Sequence, residues 1–146
     1  SMDYLKDPMF LRQLIMDHYE HPRNFHELEN GNQVHMSTDS CIDDLTIYAV
    51  INNDLIESVS FTGKACTIAT ASTSMMSEEL VGKSIEEANK IIDNYLKMIR
   101  QEPFDKESMT QVIAFENVGR QPHRVSCATL GWRGIQHLIL EKETQK

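Results

Sequence analysis

Apolar positions along the chain change period several times, and each change marks an element. Asp7-Pro8 has the form of a helix start, a capping side chain followed by proline at the first helical position, and Phe10, Leu14, Met16 and Tyr19 recur behind it at roughly helical spacing. This predicts a helix over 8–20, stopped by His21-Pro22-Arg23-Asn24-Phe25, with Asn30-Gly31-Asn32 marking a turn. Leu45, Ile47, Ala49 and Ile51 then alternate with Thr46, Tyr48 and Val50, the period of a strand. Asn52-Asn53-Asp54 reads as a hairpin turn into a second strand, Leu55 to Thr62, with Leu55, Val59 and Phe61 on one face, and residues 32–38 supply a third.

Beyond Gly63 the period lengthens. From Cys66, Ile68, Ser72, Met75 and Met76 repeat helically among the small residues Ala65, Ala69, Ala71 and Ser74, which reads as a helix packed closely against a neighbour. Ser84-x-x-Glu87 has the form of a capping box, and Ile85, Ala88, Ile91, Ile92, Tyr95, Leu96 and Ile99 follow it on one face until Pro103. A shorter helix is expected over 106–118, closed by Gly119, and a last one beyond Gln121-Pro122, beginning close to Cys127. The order gives an α+β fold, a small three-stranded antiparallel sheet with about five helices mostly packed on one face.

Composition narrows the class without naming a chemistry. Of 146 residues, 40% are hydrophobic, a share suited to one globular domain over 1–146, with Ser1 ahead of Met2 read as a cloning remnant. The net charge of −8 repels phosphate backbones and anionic lipid, so nucleic acid and membrane are not expected partners. No apolar run reaches the roughly 18 residues of a spanning helix, and the start of the chain lacks a signal-peptide pattern, so a cytoplasmic protein is expected.

Three cysteines, Cys41, Cys66 and Cys127, are an odd number for a disulfide framework. Each sits at a junction: before the first long strand, between strand and helix, and at the start of the last helix. A thiol at a helix N-terminus faces unpaired amides and the positive end of the dipole, which favours the thiolate. Asp43 lies two residues beyond Cys41, so three thiolates and one carboxylate offer four ligands of types zinc accepts. Buried inert thiols are the competing reading. None of the six histidines stands at a paired spacing with a cysteine; His123 comes nearest to Cys127. Met75-Met76 reads as packing, Trp132 as either a core or a partner-facing aromatic, and Glu78-Glu79 as a solvated face.

These residues resemble a family end to end. Met16-Asp17-His18-Tyr19, Pro22-Arg23-Asn24-Phe25, Cys41-x-Asp43, Gly63-Lys64-Ala65-Cys66-Thr67-Ile68, Ser72-x-Ser74-Met75-Met76 and Arg124-x-x-Cys127-Ala128-Thr129-Leu130-x-Trp132 are similar to the iron-sulfur cluster assembly proteins of the SufU and IscU type. The SufU branch is nearer: Ser126 precedes the last cysteine where the scaffold branch has histidine, and that branch's Leu-Pro-Pro-Val-Lys segment is absent.

The resemblance implies a SufE/IscU-like fold that gathers the three cysteines at one end. It also implies zinc on Cys41, Asp43, Cys66 and Cys127, with Cys41 as sulfur acceptor and Arg124 supporting it. The implied partners are a pyridoxal-phosphate cysteine desulfurase of SufS type and downstream cluster-assembly proteins, with this chain a sulfur carrier of sulfurtransferase type. The alternatives are a scaffold on which an iron-sulfur cluster is assembled, and a structural zinc domain. One position departs from the pattern: Ile42 stands where the family has glycine, and a β-branched residue tolerates positive φ poorly, so a stiffer loop is expected. Asp44 is the competing oxygen ligand.

Overall fold

The structure, a computed structural model, describes residues 3–39 and 42–145. Helix α1 covers Pro8–Glu20; strands β1, β2 and β3 cover Asn32–Ser37, Asp44–Asn52 and Leu55–Lys64; helices α2, α3 and α4 cover Thr67–Leu80, Ile85–Ile99 and Pro122–Thr144. Short 3₁₀ turns occupy Asp3–Lys6, Gln111–Phe115 and Val118–Arg120. The strands form one antiparallel sheet in the order β1-β2-β3. Leu45, Ile47, Ala49, Val59 and Phe61 turn one face of it to a core shared with α2, α3 and α4. Among the described residues, no helix is long and apolar enough to cross a membrane.

Local chemistry accounts for the starts of these elements. The Asp7 carboxylate accepts from the Met9 amide at 3.0 Å ahead of Pro8, and Ser84 and Glu87 close the expected capping box. Asn53 and Asp54, at φ 52° and 65°, make the two-residue turn between β2 and β3. The segment after α1 is a clasp rather than a plain loop. The Arg23 amide donates to Ser74 Oγ at 2.8 Å, Asn24 Nδ2 to Ser77 Oγ at 2.9 Å, and Phe25 packs edge-on to Phe61, which ties α1 to α2 and covers part of the β3 edge.

Three expectations change. First, Leu55 is exposed and Ile56 takes its place in the core. Val50 pairs with Ser58 but Ile51 with Ile56, so Glu57 is an extra residue on β3, and the bulge reverses the inward phase of the strand. Second, the helix expected over 106–118 is two 3₁₀ turns. Asn94 accepts from the Asp105 amide and donates to its carbonyl, and Ser108 bonds back to Asp105, so side-chain-driven turns hold this chain away from helical hydrogen bonding. Third, the last helix, expected to begin close to Cys127, starts at Pro122, which puts Cys127 in its second turn.

Close approach between elements rests on two glycines. Gly63 has φ +120°, and a Cβ there would lie 2.1 Å from the Asp44 carbonyl oxygen, so only glycine lets the end of β3 pair with the start of β2. A Cβ on Gly131 would lie 2.3 Å from Thr73 Oγ1, which sets how tightly α4 packs on α2. The expected close packing of α2 is this contact.

Candidate metal centre

The start of β2, the N-terminus of α2 and the second turn of α4 meet at one end of the sheet. Asp43, Cys66 and Cys127 each bring one ligand atom there, all within 4.8 Å of one another. Asp43 and Cys127 are buried and Cys66 is half-buried. Cys66 is the residue that caps α2, its Sγ accepting from the Ala69 amide at 3.4 Å, as the junction position implies. Cys127 belongs to the unbroken buried run from Cys127 to Trp132.

Asp43 joins two of these elements. Its Oδ1 accepts the Cys66 backbone N–H at 2.7 Å, and the Cys66 thiol, 3.7 Å from Oδ2, donates weakly to it. Among the described residues, the carboxylate takes its hydrogen bonds from Cys66 alone. The strand alternation beginning at Asp44 sends that side chain to the outer face, exposed and 2.7 Å from His35 Nε2. Asp44 is therefore not a second oxygen ligand in this arrangement.

At Cys66 the helix N-terminus, expected to favour the thiolate, is outweighed. Burial pushes the Cys66 thiol above its ordinary value of 9.0, and the negative Asp43 adds to the rise, while the Ala69 amide and the Cys127 thiol pull the other way. A carboxylate and two thiols gathered this closely repel one another when ionised, and a divalent cation offsets that charge. The donor set fits such an ion in kind: sulfur and carboxylate oxygen are ligands zinc accepts.

The other candidates separate clearly. Cys41 lies outside the described residues. Ile42 is 79% exposed beside the cluster. Arg124 is exposed in the first turn of α4, three residues before Cys127 and hence on a neighbouring part of the same helix surface. His123 is exposed and outside the cluster. His18 is a satisfied core histidine: Nε2 donates to Gln111 Oε1 at 2.9 Å and Nδ1 accepts from Ser74 Oγ at 2.7 Å, and burial lowers its pKa from 6.5. Two contributions had no signal in sequence: the Cys66 amide, which any residue type supplies, and the Ala69 amide.

An α+β fold that gathers two thiols and a carboxylate from three separate elements at one sheet end belongs, as a class, with small proteins carrying a candidate metal site. The chain belongs to the NifU-like N-terminal domain family, whose pattern matches residues 11–142. It is 32% identical over 133 residues to the zinc-dependent sulfurtransferase SufU of Bacillus subtilis, spanning 90% of each chain. It is 31% identical over 128 residues to the iron-sulfur cluster assembly scaffold protein IscU of Streptococcus pyogenes, spanning 86% of this chain and 80% of that one. Its fold superposes on the SUF-system scaffold protein of Fervidobacterium islandicum AW-1 with a TM-score of 0.82 at 31% identity, covering 87% of this chain and 94% of the other. The fold and family expected from the sequence are thereby met.

Proposed function

We propose that this protein is a zinc-dependent sulfur acceptor and carrier that takes persulfide sulfur from a pyridoxal-phosphate cysteine desulfurase of SufS type and hands it on for iron-sulfur cluster assembly in the cytoplasm. The observation that carries the reading is the convergence of Asp43, Cys66 and Cys127 within 4.8 Å. It is supported by the relative named a zinc-dependent sulfurtransferase, matched over nine-tenths of both chains.

Cys41, Asp43, Cys66 and Cys127 would hold the zinc, which when bound keeps thiolates deprotonated without redox chemistry of its own. The chain's own residues do the rest. The hydrogen bond from the Cys66 amide occupies Asp43 Oδ1, while Oδ2 meets the weak Cys66 thiol donor, whose proton a cation would displace. Cys41, two positions before Asp43 in the sequence, is the acceptor. Its thiolate attacks the outer sulfur of the partner's persulfide; a new sulfur–sulfur bond forms on Cys41, the partner's bond breaks, and its cysteine leaves as thiolate. Arg124, exposed on α4 three residues before Cys127, would supply a positive charge to an incoming persulfide.

The test is desulfurase turnover with catalytic enzyme and excess carrier. Wild-type protein should raise the rate, and Cys41→Ala should leave the enzyme at its unassisted rate with the fold intact. Equal stimulation by the variant would remove Cys41 from the acceptor role. The second reading, a scaffold that assembles a cluster on the same four ligands, is supported by the relatives named as scaffolds. It requires a visible iron-sulfur chromophore after anaerobic reconstitution.

A further inference from the structure

The segments Ser72-x-Ser74-Met75-Met76 and Ala128-Thr129-Leu130-x-Trp132 contribute no ligand, yet they meet in a polar network in the centre of the core. The Trp132 indole N–H donates to Ser72 Oγ at 2.9 Å. The Ser72 and Tyr95 hydroxyls, 2.9 Å apart, each lie 2.8 Å from the Ala128 carbonyl oxygen and donate to it. The Tyr95 and Trp132 rings stack with centroids 3.9 Å apart and an interplanar angle of 10°. Ser72 is 1% exposed and Tyr95, Ala128 and Trp132 are fully buried.

Buried polar groups cost stability unless they are bonded, and apolar side chains of similar shape would fill a core as well. What the network adds is a fixed relation between helices, and its position decides which relation. Ala128 follows Cys127 directly. Ser72 lies on α2, whose capping residue is Cys66, about 9 Å further along the axis at 1.5 Å per residue. The network thus ties the two helices that carry two of the clustered thiols, beside the Gly131–Thr73 approach that lets them pack closely.

We infer that Ser72 and Tyr95 are positioning residues for the metal centre, a paired clamp on the Ala128 carbonyl that sets the separation of Cys66 and Cys127. The inference rests on the metal reading of the cluster.

The test compares wild type, Ser72→Ala, Tyr95→Phe and the double variant by zinc affinity, in competition with a chromophoric chelator, and by the ligand-field bands of the cobalt(II) form. Each single variant keeps one hydroxyl on the carbonyl and should bind zinc about threefold more weakly, below the roughly 10–100-fold losses typical when a hydrogen-bond partner of a ligand itself is removed; the double should lose at least about tenfold. The cobalt bands should shift in the singles and further in the double. A merely structural role would lower the melting temperature of the zinc-free protein but leave affinity and bands alone, because metal binds the folded state. Wild-type affinity and bands in every folded variant would overturn the inference, and if the double does not fold the singles decide it. A wild-type protein that binds neither zinc nor cobalt would instead overturn the metal reading.

Discussion

Replacing Asp43 by asparagine separates the two tasks of this carboxylate. The Asp43→Asn side chain keeps the shape and an oxygen that accepts the Cys66 amide, now 2.7 Å from Oδ1, but it loses the charge and presents an NH₂ to the sulfur. Exchanging a charged acceptor for a neutral one costs about 1 kcal/mol of hydrogen-bond strength, and removing a buried anion returns a similar amount, so the zinc-free protein should change little. The zinc-bound form should change much more. At free zinc about one hundred times the dissociation constant, binding stabilises the fold by about 2.7 kcal/mol. If the substitution weakens zinc about 100-fold, the same zinc concentration supplies only about 0.4 kcal/mol. At about 2–4 °C per kcal/mol for a chain of this size, zinc should raise the wild-type melting temperature by about 5–11 °C and the variant's by about 1 °C. Differential scanning fluorimetry with and without zinc, under reducing conditions, measures both. A variant that keeps the full zinc-induced shift would refute the assignment of Asp43 as a ligand.

Two further outcomes follow from the packing around this centre. His18 is held neutral, its pKa lowered from 6.5 chiefly by burial, so the unfolded chain takes up a proton before the folded one does. Its contribution is therefore complete above pH 6.5 and is lost as pH falls below that value toward the folded pKa; the melting temperature of His18→Gln should fall less steeply over that window, and parallel curves would contradict this. Gly63→Ala forces a Cβ to within 2.1 Å of the Asp44 carbonyl at φ +120°, so backbone strain and displacement of β2 should cost about 3 kcal/mol and lower the melting temperature by about 6–12 °C, and an unchanged unfolding midpoint would show that the strand ends relax freely.

Much of this was legible in the sequence, for reasons tied to particular residues. The alternation of Leu45, Ile47, Ala49 and Ile51 and the heptad-like face of α3 are local signals, and both elements formed as their period implies. Cys66 was readable as the junction between strand and helix because the period of apolar positions lengthens beyond Gly63, while its capping bond to the Ala69 amide was not. Tertiary pairing and side-chain turns decided what the pattern could not. The bulge that brings in Ile56 depends on register with β2, and Asn94 reaches eleven residues along the chain to hold Asp105 in a turn. The start of α4 lies ahead of Cys127 because Pro122, with its fixed φ and missing N–H, is the stronger helix-start residue. Within the cluster, Asp43 was separable from Asp44 only once strand phase was known, and the clamp on Ala128 had no signal because its acceptor is a backbone carbonyl.

The most direct test of the central reading is the metal content of protein purified under reducing, chelator-free conditions, compared with a Cys66→Ser/Cys127→Ser double variant. About one zinc per wild-type chain, with little iron and none retained by the variant, is the expected result. Wild-type protein without metal even after zinc is supplied, or a double variant that retains the wild-type amount, would contradict it.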